Sequence, residues 1–439
     1  MRRSSTVMLF AVPEVQALRA LTVDGRLLFS TRIVRLFAYG FLSVVLALYL
    51  AQLGLSEQQI GLVLTLTLVG DAVISLWITS VADRLGRRRM LIVGAGLMVL
   101  AGLVFAVTRN VIVLTIAGII GTISPGGTEV GPSAALEQAA LPQTAPDRQR
   151  TALFGWYNLV GSFATALGAL TGGTFATALQ QRGVAPLESY RTIIVGYALL
   201  GGVLAVLFRR LSPAVEASVW RSGTPAQVIG RPARRWLGLE RSRTVVLKLS
   251  ALFMIDAFAG GLVVQSLIAY WFVLRFGVAP ALLGGIFFGA NLFAGLSALA
   301  AARVAGRIGL INTMVWTHMP SNILLMLVPL MPTLPLASLV LLARFSISQM
   351  DVPTRQSYIV AVVDPDERAA ATGMTTTVRT ASSAIGPLIT GVLLGASLIS
   401  APFFLAGALK LVYDLALYRS FRAIKPPEEQ EPGADALQR

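Results

Sequence analysis

Four ionisable side chains lie deep inside long apolar stretches of the sequence: Asp71, Asp256, Arg344 and Arg379. An ionisable group at the centre of a membrane span costs about 2.5 to 3.5 kcal/mol on insertion scales, so each marks a candidate functional position. At 1.5 Å per helical residue, Asp71 falls roughly 17 Å and Asp256 roughly 15 Å into its stretch, with Arg344 roughly 12 Å and Arg379 roughly 10 Å from the nearer end. A carboxyl group in a low-dielectric site is disposed to hold a proton and release it when its surroundings change. A guanidinium stays charged and matches a carboxylate or phosphate with two hydrogen bonds. The acids could therefore couple protons to a conformational change, and the arginines could hold an anionic solute. Plainer alternatives stand beside these: Asp256 pairing with an arginine, Asp71 hydrogen-bonded within the packing, and the two arginines neutralising Asp351, Asp256 or Asp71. Tyr39, Asn158, Gln265 and Asn291 are uncharged polar residues on the same stretches that could shape a solute pocket.

Other chemistries lack their residues. The chain has no cysteine, a single histidine (His318), no GxxxxGK[ST] phosphate loop and no HExxH pair. No enzyme activity, metal or cofactor is expected from it. His318 is expected to be structural or lipid-facing, Glu137 to end its stretch near the surface, and Lys410 with Asp414, four residues apart, to pair with each other.

The elements that must position these residues are apolar helices. Of 439 residues 55% are hydrophobic and 13% charged, against roughly a quarter charged in soluble domains. Twelve runs reach the length of about 20 residues that crosses a bilayer core. The expected fold class is therefore an all-α integral membrane protein of twelve transmembrane helices in two six-helix bundles. The bundles are placed at residues 33–208 and 246–418, flanked by an N-terminal tail at 1–32 that could include an interfacial helix and a C-terminal tail at 419–439. A basic, proline-containing linker at 209–245 joins them.

The two halves resemble each other. Gly54, Gly61, Val81, Ala82, Arg84 and Gly86 recur at a constant offset of 223 as Gly277, Gly284, Val304, Ala305, Arg307 and Gly309. Several residue types at one offset argue for an internal duplication, a feature of secondary transporters. The charge excess also becomes interpretable. The net +15 would suit nucleic acid if clustered, but with both termini inside, 27 lysines and arginines fall in tails and inner loops and four in outer loops. That asymmetry is a topology signal, which argues against nucleic acid as partner and for cytoplasmic termini in a plasma (inner) membrane.

Twelve spans in similar halves, with the loop TSVADRLGRR (Thr79 to Arg88) after the second, resemble the major facilitator superfamily and its GxxxDRxGRR signature; Thr79 stands where that signature has glycine. The resemblance implies alternating access, with spans one, four, seven and ten lining the cavity. It implies that Asp83 faces a helix N-terminus and that Arg84, Gly86, Arg87 and Arg88 form the loop motif. The segments SPGGTEVGP and MDVPTRQSY are similar to inner-gate segments of sugar-porter-like members, implying Glu129 and Asp351 as gate acids with Arg84, Arg87 and Arg307 as partners. Arg355, four residues after Asp351, can also meet it on one helix face.

The function expected is secondary active transport of a small organic solute by a monomer, outward and in exchange for protons, with Asp256 or Asp71 as the coupling acid. An importer or uniporter of an anionic metabolite, using Arg344 and Arg379, is the alternative. A non-transporting receptor or scaffold is a third, disfavoured because a static scaffold needs neither loop motif nor gate acids.

Overall fold

The structure, a computed structural model, describes residues 21–127, 133–134, 136–137, 141, 150–216, 239–364 and 367–424. Those residues are almost wholly helical. In chain order the helices are α1 (Val23–Ser43), α2 (Leu46–Gln52), α3 (Glu57–Leu85), α4 (Arg87–Val107), α5 (Val111–Ile120), α6 (Arg150–Gln181), α7 (Pro186–Arg209) and α8 (Arg243–Leu262). Then follow α9 (Gln265–Phe276), α10 (Pro280–Ile308), α11 (Leu310–Leu327), α12 (Leu334–Ser348), α13 (Asp351–Val362), α14 (Arg368–Gly395) and α15 (Ala401–Phe421). Among the described residues eight helical segments, α8 and α9 counting as one, are long and apolar enough to cross a membrane, and α1 with α2, bent by 41°, makes a ninth. The other three expected runs carry α5, α11, and the broken pair α12 and α13.

Local chemistry fixes where helices start and stop. The Asn110 side chain accepts from the Ile112 and Val113 amides at the head of α5, at 2.9 and 3.3 Å, satisfying donors that a helix start leaves open. Gly86 and Gly309, which the sequence repeat pairs, precede α4 and α11 with φ of 99° and 86°. Only glycine enters that region without strain, so the duplication survives in the backbone as well as in the letters.

Contacts divide the chain into two compact units. One comprises Met1–Leu53, Gly70–Ala226 and Ala279–Phe288; the other comprises Gly54–Val69, Gln227–Val278 and Gly289–Arg439. The first turns of α3 thus group with the later helices and those of α10 with the earlier ones. Small residues explain this. A Cβ on Gly61 would lie 2.4 Å from the Pro387 carbonyl oxygen of α14. In the other unit a Cβ on Gly173 of α6 would lie 2.2 Å from the Pro280 oxygen of α10. Without side chains the backbones approach closely, which is how apolar helices pack where hydrocarbon surrounds them.

Within the first unit α1 lies along α6, and α4 along α7. A Cβ on Gly168 would meet the Phe37 carbonyl oxygen at 2.1 Å and one on Gly172 the Phe41 oxygen at 2.3 Å. In the second unit α8 packs on α14 and α15, over a core that includes Phe253, Tyr358, Tyr413 and Leu417. The break between α8 and α9 lies where Gly261 meets the α14 backbone at Ser383 and Gly386. Thr390 donates its hydroxyl to the Leu262 carbonyl there at 2.7 Å, pairing an acceptor that the break leaves open.

Candidate functional site

Each unit holds one buried charge cluster. In the second, α8 places Asp256 four residues before the glycine pair at 260–261, with the carboxylate 3% exposed. Lys410 of α15 donates to its Oδ1 at 2.5 Å and Arg379 of α14 to its Oδ2 at 2.8 Å. Arg355 of α13 lies 3.6 Å from Oδ2 and bonds more closely to Asp351, one helical turn earlier, at 2.7 Å. His318 of α11 brings Nε2 to 3.9 Å from Asp256 and Nδ1 to 2.8 Å from Asp414. Asn322, a turn along α11, donates to the other Asp414 oxygen at 2.9 Å.

Arg344 belongs to the same neighbourhood, within the electrostatic reach of Asp351 and Asp256. It is buried on α12, stacked against Phe345 with its guanidinium carbon 4.8 Å from the ring centre. Its Nε has no hydrogen-bond partner, and among the described residues no carboxylate comes within ion-pair distance of it. Beside His318, the cluster has four basic side chains, Arg344, Arg355, Arg379 and Lys410, against three carboxylates, Asp256, Asp351 and Asp414. A surplus of cations in a largely buried site attracts an incoming anion.

In the first unit the charge cluster forms around Glu137, which is fully enclosed. Arg35 of α1 grips both its oxygens at 2.6 and 2.8 Å, the paired geometry a guanidinium provides. Thr31, one turn earlier on α1, donates at 2.8 Å, and the Tyr157 hydroxyl of α6 donates to Oε2. Arg32 stacks over the Tyr157 ring at 3.8 Å and bonds to the Asn158 side chain at 3.1 Å. Among the described residues, the side chains that bind this carboxylate come from α1 and α6.

The remaining sequence candidates distribute as follows. Gln265 and Asn291 join through Asn291 Nδ2 and Gln265 Oε1 at 3.1 Å. Asp71 and Tyr39 are buried in the first unit, and both lie near Tyr197, whose hydroxyl donates to the Thr122 carbonyl at 2.5 Å. Arg84 and Arg307 have exposed side chains, and Asp351 bonds to Arg355 rather than to either of them. At the loop motif the Glu216 carboxylate accepts from the Arg87 and Arg88 amides at 2.6 and 3.3 Å, while the Arg88 side chain donates to the Arg209 carbonyl. Asp83 lies in the last turns of α3. Glu129 lies outside the described residues.

Three expectations change. Lys410 and Asp414 do not pair with each other; they point to different partners, because Asp256 and His318 approach α15 from α8 and α11. Glu137 is buried rather than superficial, since Arg35 neutralises it. Of the two roles expected for His318 the lipid-facing one falls, because the ring is buried between two carboxylates. Arg35 and Thr31, four apart on one helix face, were the available sequence signal for a buried acceptor; nothing local pointed to Glu137 as that acceptor.

Compared with known proteins, the sequence matches the Major Facilitator Superfamily over residues 28–350. It is 30% identical over 423 residues to the uncharacterized membrane protein YJR124C of Saccharomyces cerevisiae, covering 91% of this chain and 94% of that one. A shorter stretch of 137 residues is 28% identical to the quinolone resistance protein NorA of Staphylococcus aureus, covering 31% of this chain and 34% of that protein. Among solved structures, a D-xylose-proton symporter superposes with a TM-score of 0.71 at 15% identity, covering 90% of this chain and 97% of the other. At that identity the likeness is one of fold.

Proposed function

The chain belongs to the Major Facilitator Superfamily, and on that premise we propose that it is a secondary active transporter for a small organic solute carrying a carboxylate or phosphate. The single observation behind the choice of solute is Arg344, a buried guanidinium with no ion-pair partner among the described residues. Isolated charge in a span is costly, and a solute anion would supply the missing partner. Asp256, by contrast, is held by Lys410 and Arg379, which favours a structural or electrostatic role over proton uptake. The inner-loop excess of basic residues supports cytoplasmic termini.

The test is a thermal-shift screen of the purified protein against organic carboxylates and phosphates, each beside its neutral amide or ester. A ligand of the folded state raises the melting temperature by mass action. Anionic members are expected to stabilise the wild type, and that shift should vanish in Arg344→Gln and partly return in Arg344→Lys. An anion that stabilises wild type and Arg344→Gln equally rules out Arg344 as its receptor.

A second reading is outward transport in exchange for protons; its direction rests on the similarity to a quinolone resistance protein and the protons on His318 between Asp256 and Asp414. Histidine changes charge near neutral pH. Proteoliposome flux under an imposed pH gradient decides it: loss of gradient-driven flux in His318→Gln, Asp256→Asn or Asp71→Asn supports coupling, and retention in all three excludes these groups.

A further inference from the structure

One basic cavity plays no part in the scheme above. Where α4 begins and α7 ends, a cavity of about 390 Å³ is lined by Arg88, Arg89, Ile92, Arg209, Pro213 and Glu216. Three guanidiniums face one carboxylate, and that carboxylate is already engaged by the amides of Arg87 and Arg88. The basic residues of the lining thus exceed its acids by two, in a half-open recess between the two helix ends.

Its surroundings indicate where the counter-anion comes from. Both α4 and α7 meet the length and apolarity of a membrane span, and the arginines stand in the first turn of one and at the last residue of the other. The ends of helices that just span the hydrocarbon core meet the headgroup layer. Along the same two helices, Val93, Leu100 and Leu103 of α4 and Leu199, Val203 and Val206 of α7 are outward and exposed. The helices themselves are in close contact, a Cβ on Gly102 reaching Ala198 at 2.8 Å and one on Gly201 reaching Val99 at 3.0 Å. A headgroup in the cavity would therefore continue into acyl chains lying on apolar surface outside a closed helix pair. A soluble phosphate would use the arginines and none of the apolar surface.

We propose that this cavity binds the phosphate headgroup of an anionic lipid, with Arg88, Arg89 and Arg209 as its ligands and the outer faces of α4 and α7 as the bed for its chains. Basic pockets at the ends of transmembrane helices have this chemistry. The inference is independent of the transported solute: it concerns a different part of the first unit from Arg35 and Glu137, and none of the second-unit cluster.

The experiment uses the full chain in nanodiscs of phosphatidylcholine with increasing phosphatidylglycerol, read by lipid retained in native mass spectrometry and by melting temperature. Arg89→Gln/Arg209→Gln is compared with Arg182→Gln/Arg275→Gln, an equal charge change at exposed residues outside the cavity. Phosphatidylglycerol should be retained and stabilise the wild type, and the cavity variant should bind it less tightly by roughly fivefold per arginine removed, with the control unchanged. Should the double variant not fold, Arg89→Gln alone carries the test, with a loss of about fivefold expected. Equal losses in cavity and control variants overturn the proposal. So does retention of phosphatidylcholine equal to phosphatidylglycerol, or equal stabilisation by inorganic phosphate in detergent.

Discussion

Lys410 of α15 donates to Asp256 of α8 at 2.5 Å across 154 positions of sequence. With Arg379 on the other oxygen, at 2.8 Å, one carboxylate ties three helices of the second unit. Removing Lys410 leaves Asp256 with Arg379 at 2.8 Å and Arg355 at 3.6 Å. Lys410→Met should lower stability by about 2 to 3 kcal/mol, somewhat under the usual cost of stripping one partner from a buried pair. Asp256→Asn should cost more, because it leaves Lys410, Arg379 and Arg355 facing one another, and the double variant Lys410→Met/Asp256→Asn should be less damaging than the sum of the two. Thermal unfolding in detergent of the three variants measures the coupling.

The grip on Glu137 predicts a graded series. Glu137→Gln removes the charge that neutralises buried Arg35 and should destabilise by about 3 kcal/mol. Tyr157→Phe removes one hydroxyl donor and should cost about 1.5 to 3 kcal/mol, as for a hydrogen bond to a charged group. Equal melting temperatures for wild type and Glu137→Gln would remove the pair from the account of what holds α1.

A third carboxylate acts outside the spans. Glu367, just before α14, accepts amides from Glu240, Arg241 and Ser242 at 2.7, 3.0 and 2.9 Å, fastening the chain that leads into α8. Burial pushes its carboxyl up, but the backbone bonds from Ser242, Glu240 and Arg241 outweigh that and hold it at about 2 against an ordinary 4.5. A depressed folded value means that the stabilisation is present above the unfolded pKa and is lost as pH falls through the folded one. Melting temperature should therefore decline from about pH 4.5 toward pH 2 by a component missing from Glu367→Gln. Identical acid profiles for the two proteins would show that Glu367 is not the group responsible.

Close backbone approach gives a paired prediction. Gly173 and Gly285 are both helical, yet a Cβ at Gly173 would lie 2.2 Å from the Pro280 oxygen, whereas nothing lies within 4 Å of one at Gly285. Gly173→Ala should destabilise by about 1 to 3 kcal/mol through overpacking. Gly285→Ala should be neutral or slightly stabilising, since alanine favours helix. Heat-challenge chromatography of the two variants separates them, and equal behaviour would mean that α6 and α10 do not pack through Gly173.

The sequence by itself determined the helices, their membrane setting and their duplication. Apolar length, loop arginines and a constant 223-residue offset are properties of the chain alone, and solvation in hydrocarbon leaves helices as the only way to satisfy the backbone of such runs. It also singled out Asp71, Asp256, Arg344 and Arg379 as costly, because cost in a span depends on residue type and depth. Pairing was decided only by the tertiary structure. Lys410 and Asp414 share a helix face, so spacing alone joins them, but α8 and α11 bring Asp256 and His318 closer and divide the pair. Glu137 is buried only because α1 carries Arg35 against it. Among the described residues Arg344 has no carboxylate within ion-pair distance for the same reason: Asp351 and Asp256 are within its field, but Arg355, Arg379 and Lys410, from other helices, occupy their oxygens. Coulombic partners are chosen by distance in space, and helix packing sets that distance across more than a hundred residues of chain.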